Sequence, residues 1–393
     1  MRPPSENGTQ IWTRGFVLLT AATAVVFFGF YFVILALPSY AASLGAGAEQ
    51  IGLLVALPSL TAAATRLATA GLVRRHGARR FLLVGLSLFA VSAAAHAAAP
   101  GVGSLMAVRA VQGAGWGWTT SALGTLVADL APEGRRGEAI GIWGMAPTLA
   151  MIGGPLTGAF LIGHGGHARV FLATGALAAV AALLAAPVAE PRARDGSSAP
   201  STGAIPRGAL APASALFLSS LSYGAVLAFL PLELAGEPRR AGAWFGLYAA
   251  VILIARPVLG RLSDRAGRLA VIQPSLLAGA AGMALLAAAP AGGALSAGAL
   301  WGSAVLYGAG IGGGAFPGLL AFTVDRCGRQ ERAAGLAWYF TAYDLAIACG
   351  AALLGPVYAS GGFAAACLAA AAGILVSQVV LSLSSRRPVP EAS

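Results

Sequence analysis

Lysine is absent from the 393-residue chain, acidic residues number only 14, and charged residues make up 10% of the total. A soluble globular domain carries about 25% charged residues, so this chain cannot build a water-facing surface for its size. With no lysine, the net charge of +11 comes from arginine alone, and the 25 arginines stand in small groups between apolar runs. That scatter excludes a basic tail and a continuous nucleic-acid face. Cysteine is nearly missing: Cys327, Cys349 and Cys367 are too far apart for a CxxC redox pair or a zinc ribbon. Of the histidines His76, His96, His164 and His167, only the last two are close, in a glycine-rich stretch that reads as a solvated turn rather than a metal site. There is no Walker loop to draw on ATP, and neither a catalytic dyad nor a metal cluster in the apolar runs. Enzymatic chemistry is therefore not expected, and no cofactor or metal is called for.

What the sequence has in abundance is apolar length, 58% of its residues. A membrane-spanning helix needs about 20 apolar residues. Such runs occupy roughly 14–41, 50–73, 80–99, 103–129, 138–162 and 168–189, then 213–235, 242–262, 269–290, 295–324, 333–358 and 361–383. The first is too long for the apolar core of a signal peptide and reads as a span. The pattern predicts an all-α membrane protein of twelve transmembrane helices. A Pro/Ser/Gly/Arg segment, 190–212, separates an N-terminal half (1–189) from a C-terminal half (213–393) of six spans each. With the N-terminus in the cytoplasm, nineteen arginines fall in inner segments and three (Arg169, Arg239, Arg240) in outer ones, while Arg66, Arg109 and Arg256 lie within spans. Such a bias places both termini and the linker on the cytoplasmic side of a cell membrane.

The halves repeat one another. Residues 65–78, TRLATAGLVRRHGA, align with 255–268, ARPVLGRLSDRAGR, at an offset of 190, pairing Arg66 with Arg256, Arg75 with Arg265 and Gly77 with Gly267. Further on, GAGWG at 113–117 matches GAGIG at 308–312, and Asp129 ahead of Arg136 matches Asp325 ahead of Arg332. Two pseudo-symmetric six-helix halves with a site near the midplane follow from this plan.

The run Gly260-Arg-Leu-Ser-Asp264-Arg265-Ala-Gly267-Arg268 resembles the signature loop of the major facilitator superfamily, and the resemblance extends over the whole chain. The loop wants a tight turn at Gly267 and an Asp among arginines. In the family that Asp belongs to a charge cluster latching the halves at the cytoplasmic side; the first-half copy has Ala70 for Gly260 and Arg74 for Asp264, beside Arg75. Arg109-Ala-Val-Gln112-Gly113-Ala-Gly115 is similar to the family's fourth-helix motif, whose Arg is associated with proton coupling, although an arginine snorkelling to the outer interface fits the position too. On the fifth helix, Gly141, Ala150, Gly154-Pro155 and Gly158-Ala159 follow the spacing of the family's antiporter signature with two alanines in place of glycine. The resemblance implies export; a plain small-residue packing stripe is the other reading.

Ionisable side chains inside spans are costly and mark function by default. Arg66 and Asp344 lie on helices that face each other in the family, which makes an ion pair between them one expectation. The repeat turns Arg256 toward the fifth helix, where the position equivalent to Asp344 is Thr148, so Arg256 is expected to offer its fork to an anionic substrate group or else to bond helix carbonyls. No acid stands on the first helix between Phe16 and Tyr40, which leaves Asp344 as the leading proton carrier, with Glu233 behind it. Tyr31, Trp116, Trp118, Tyr223, Tyr307 and Tyr343, with Trp338 and Tyr339, are the aromatic candidates for lining a cavity, each of which also suits helix packing. The family implies a monomeric secondary transporter in the bilayer whose partners are a small-molecule substrate and protons. Proton-coupled efflux is the first expectation, a metabolite or sugar uptake permease the second and a transport-dead sensor the third.

Overall fold

Every span expected from apolar length is helical in the structure, a computed structural model that describes residues 11–132, 135–189, 205–289, 294–328 and 331–385. The helices are α1 (Arg14–Ser43), α2 (Ala48–His76), α3 (Ala78–Ala95) and α4 (Val102–Leu130), followed by a rod, Arg136–Ala185, that turns at Gly166 into α5 and α6. Then come α7 (Arg207–Glu233), α8 (Pro238–Ala266) and α9 (Arg268–Ala288). The tenth, α10, has three parts: Ala294–Tyr307, a π-helical stretch Gly308–Ala315, and Phe316–Arg326. A second rod, Arg332–Ser385, turns at Gly362 into α11 and α12.

With each rod taken whole, nine helices among the described residues are long and apolar enough to cross a membrane. The helix α4 is not among them, because Arg109, Gln112 and many small or hydroxylated residues dilute its apolar content. Divided at the two glycines, the described residues hold twelve helical segments, so a count of spans depends on Gly166 and Gly362 as much as on the apolar runs.

Those turns carry the mark of the repeat. Gly77 (φ 91°) and Gly267 (φ 94°) stand at the same offset of 190 and each alone joins two helices, while Gly166 (φ 71°) and Gly362 (φ 73°) stand at an offset of 196. A positive φ with extended ψ is open to glycine and strained for any side chain, so the reversal can occupy one residue and no more.

Two compact units emerge, one of Met1–Tyr40 with Leu60–Gly196 and the other of Ala41–Ser59 with Ser197–Ser393. The core of the first is built from Phe16, Leu19 and Val26 on α1, Leu82, Leu86 and Phe89 on α3, Leu123 and Leu126 on α4, and Ala178 and Ala181 on α6. In the second, α7 is buried on all sides from Tyr223 to Pro231, as expected of a central helix. Gly224 packs on the backbone of Ile347 and Gly350 on that of Leu221, which brings α7 and α11 into backbone contact. The first turns of α2 belong here as well, with Gly52 against the Ala351 carbonyl.

Large apolar side chains point outward around both units, among them Val91, Leu183, Ile254, Leu353 and Leu383. A water-soluble surface would not carry so many; a lipid-facing one does. The linker differs from expectation at its C-terminal end. Residues 207–212 are already helix, begun by extended Pro206 and buried where Gly208 meets the Arg326 carbonyl and Gly335 meets Ala209. Positions 190–204 lie outside the described residues.

Candidate functional site

The second unit gathers aromatic side chains from four helices. On α8, Trp244 and Tyr248 sit one turn apart and stack with ring planes 7° apart at 5.5 Å. Tyr248 also stacks on Tyr223 of α7 at 5.9 Å and on Tyr307 of α10 at 5.6 Å. The polar edges are satisfied: Trp244 Nε1 donates to Ser303 Oγ at 2.9 Å, and Tyr307 and Ser222 share a hydrogen bond of 2.8 Å. Tyr223 continues to Tyr343 on α11, at 6.4 Å and 18°, and Tyr343 meets Phe316 edge-on at 5.0 Å. Tyr339 is fully buried and its hydroxyl donates to the Phe316 carbonyl at 2.5 Å.

Arg256 stands beside Phe316 of this cluster, about two turns beyond Tyr248 on α8. Its Nε donates to the Gly312 carbonyl at 3.1 Å, and its guanidinium lies over the Phe316 ring, 5.8 Å from the centroid. The acceptor belongs to the π-helical stretch GAGIGGGA, whose glycines press on Tyr248, Ile252, Ala255 and Ser275 with no side chain between. A π turn leaves the ordinary ladder of helix bonds and offers a carbonyl to a side chain, and such turns concentrate at functional sites. The sequence left Arg256 without an acid opposite it on α5 and offered helix carbonyls as its other reading; the Gly312 carbonyl of the π turn is such an acceptor, and Thr148 bonds back to the Gly144 carbonyl at 3.3 Å.

Among the residues singled out from sequence, Tyr223, Tyr307, Tyr343 and Arg256 are brought together here. Trp244, Tyr248 and Phe316 were missed. The first two form an aromatic pair at i, i+4 upstream of Arg256 on one helix, which was a legible signal. Asp344 follows Tyr343 and is half-buried, and Glu233 accepts from the Tyr358 hydroxyl at 3.2 Å.

In the first unit, Arg66 donates to Thr120 Oγ1 at 3.1 Å. Arg109 is 7% exposed and donates to Gln112 Oε1 at 2.5 Å, one turn along α4, so it does not snorkel to an interface. Trp116 is stacked on Phe30 at 4.3 Å and packed by Phe27 and Phe89, and Trp118 donates to Thr69 Oγ1 at 3.0 Å beside Phe81. Both tryptophans are thus engaged in packing within the unit. The fifth-helix motif divides: Gly154 faces Tyr31 and Phe28 of α1 and Gly158 faces Phe32, whereas Gly141 has no atom within 4 Å of where a Cβ would stand.

At the signature loop, Arg268 Nε donates to Asp325 Oδ2 at 2.8 Å while its other nitrogen bonds Asp264, tying the ends of α8, α9 and α10 together. A Cβ at Gly260 would meet nothing within 4 Å, and Arg265 is exposed. In the first-half copy Gly77 makes the turn; the side chains of Arg74 and Arg75 lie outside the described residues, and Asp129 is exposed at the end of α4. At the start of α5, exposed Arg135 pairs with Glu138 at 2.9 Å. His167 bonds Ser39 Oγ at 2.9 Å, and among the described residues no group of three or more His, Cys, Asp or Glu could hold a metal ion.

Comparison with known proteins agrees with this architecture. The multidrug resistance protein Stp of Mycobacterium tuberculosis is 30% identical over 166 residues, 42% of this chain and 30% of that protein. The tetracenomycin C resistance and export protein of Streptomyces glaucescens is 39% identical over 114 residues, 28% of this chain and 21% of that protein. The chain spans less than a third of the length of these curated relatives. Among solved structures, the nucleoside transporter NupG superposes with a TM-score of 0.75 at 16% identity, covering 96% of this chain and all of that one. A bacterial homolog of the human lysosomal transporter Spinster gives 0.77 at 15% identity, over 94% and 96% of the two chains. At such identities these two establish the fold alone. The profile of the Major Facilitator Superfamily matches residues 19–215 and 212–393, nearly the whole sequence, and the chain belongs to that superfamily of membrane transporters.

Proposed function

We propose that this transporter exports a small amphipathic organic compound by alternating access, driven by protons moving the other way. The observation that carries the substrate class is the aromatic cluster of the second unit, with one half-exposed arginine at its end. Rings with satisfied polar edges and few charges suit an organic molecule with a flat apolar body, and suit poorly a sugar, which needs many polar partners. The outward direction is supported by relatives named for multidrug resistance and for export, and by the fifth-helix spacing. For the coupling ion, Asp344 is the half-buried carboxyl on a span nearest in sequence to the cluster. The arginine bias supports cytoplasmic termini, the resemblance to the family supports a monomer, and the cost of charges inside spans makes Arg66 and Asp344 the candidate pair that makes and breaks.

Everted membrane vesicles test this reading. With an acid-inside pH gradient, vesicles containing the protein should concentrate a fluorescent aromatic compound; an uncoupler and Asp344→Asn should each abolish the accumulation. Accumulation indifferent to the gradient would remove the proton, and gradient-driven uptake by whole cells would reverse the direction.

A further inference from the structure

We propose that Arg256, Phe316 and Tyr343 form a subsite for a planar aromatic compound carrying a carboxylate. The proposal rests on the transport reading above and narrows its substrate to a flat aromatic acid.

Three features of Arg256 point to a ligand. Its Nε is committed to the Gly312 carbonyl at 3.1 Å, which fixes the plane of the guanidinium, while among the described residues no hydrogen bond engages the two terminal nitrogens. Its charge sits over the Phe316 ring, a contact that holds an arginine in place without neutralising it. It is half-buried, as are Phe316 and Tyr343, so the three side chains are shielded and still reachable. An arginine held this way presents two parallel N–H groups at a set orientation, the geometry that a carboxylate accepts bidentately.

The rings decide what the rest of the molecule must be. Phe316 and Tyr343 meet at 66° with centroids 5.0 Å apart, so their faces form a corner rather than a stack. Tyr343 is backed by Tyr223 at 18°, Tyr223 by Tyr248, and Tyr248 by Trp244, which gives that wall a support several rings deep. A carboxylate held in the guanidinium plane directs its substituent along the plane of the fork, past this corner. A flat aromatic substituent gains face and edge contacts there; a bulky saturated one does not match the walls. Asp344 is the adjacent residue on α11, and neighbouring residues on a helix project about 100° apart, so it leaves the helix from a different face than the wall that Tyr343 makes.

The alternative is that Arg256 serves only to clamp the π turn, and the test separates the two. The purified full chain in nanodiscs is titrated with 2-naphthoate, with its uncharged counterpart 2-naphthylmethanol, and with cyclohexanecarboxylate, by equilibrium dialysis. 2-Naphthoate should bind best. Arg256→Gln should weaken 2-naphthoate by about tenfold to a hundredfold, the range for losing a charge-assisted pair, and leave 2-naphthylmethanol unchanged. Phe316→Leu should weaken both naphthalene compounds and not cyclohexanecarboxylate. Arg256→Lys, which keeps the charge without the fork, should fall between wild type and Arg256→Gln. If Arg256→Gln weakens the acid and the alcohol equally, or if the wild type does not prefer the acid, the subsite is refuted. A clamp that fails would lower all three ligands together. Gradient-driven efflux of other aromatic compounds alongside absent 2-naphthoate binding would overturn the subsite and leave the export reading standing, whereas 2-naphthoate binding without any gradient-driven movement would do the reverse.

Discussion

The fifth-helix motif can be separated into packing and non-packing glycines by two alanine substitutions in one assay. A Cβ at Gly154 would stand 2.6 Å from Tyr31 Cβ and 3.1 Å from the Phe28 carbonyl. Carbon atoms in favourable contact are about 3.5–4.0 Å apart, so the new methyl is about 1 Å too close to an atom that cannot swing away from its own backbone. Relief requires α1 and α5 to separate, and overpacking of this kind costs about 1–3 kcal/mol. At Gly141 nothing lies within 4 Å. Glycine to alanine within a helix also gains up to about 1 kcal/mol, and that gain is common to both sites. The difference between Gly154→Ala and Gly141→Ala therefore isolates packing at about 1–3 kcal/mol. Equilibrium unfolding in mixed dodecyl maltoside and SDS micelles, followed by circular dichroism, measures it directly. Gly158→Ala, with 3.2 Å to Phe32 Cα, should fall between the two. Equal stabilities for the two variants would refute the packing account of α1 against α5. A loss of transport in Gly141→Ala at unchanged stability would show that this end of the motif works through motion instead.

How much of this was legible beforehand depended on which physical signal carried it. Apolar length reports burial in lipid, and apart from the start of α7 it placed the helices to within a few residues. Gly77 and Gly267 were readable because the repeat aligned them inside a motif. The breaks at 162–168 and 358–361 were readable as interruptions of the apolar runs, but which residue makes each turn was not, since several glycines stand together there and only the backbone angle singles out Gly166 and Gly362. The start of α7 was hidden because Pro, Gly and Ala make 207–212 read as linker, while its burial comes from Gly208 and Gly335 packing on distant segments. The cluster around Arg256 was half legible. Residue type announced its members, but the π turn that supplies the Gly312 carbonyl follows from how glycines pack on α8 and α9, and no spacing encodes that. Trp116 shows the limit of residue type: the same half-buried ring suits a cavity wall and helix packing, and sequence did not reveal that Phe27, Phe30 and Phe89 pack against it.

Three further outcomes follow from the geometry. Asp264→Asn and Asp325→Asn should each lower stability by under about 1 kcal/mol, because the Arg268 cluster is largely solvent-exposed. That loss should vanish in 1 M salt, where the screening length is about 3 Å; a salt-independent loss would contradict it. Burial pushes the Cys327 thiol up, with Glu331 adding to the effect, so N-ethylmaleimide at pH 8 should label it about tenfold more slowly in the folded protein than in SDS, and equal rates would count against its burial. The last concerns Arg109, which shares its residue type with Arg256 and differs in surroundings. A guanidinium that is 7% exposed has given up its water and is tolerable only while acceptors replace it, and Gln112 Oε1 at 2.5 Å is one such acceptor. Removing that acceptor by Gln112→Leu leaves a buried charge short of a bond and should cost about 1.5–3 kcal/mol. Removing charge and acceptor together, as Arg109→Met with Gln112→Leu, should cost less than the two single changes added, and less than Gln112→Leu alone if desolvation dominates. Additive losses in the double-mutant cycle would mean that Gln112 does not carry the charge. Because Arg109 is buried and bonded to Gln112 inside the unit while the terminal nitrogens of Arg256 make no hydrogen bond among the described residues, loss of Arg109 should register in unfolding and loss of Arg256 in ligand selectivity.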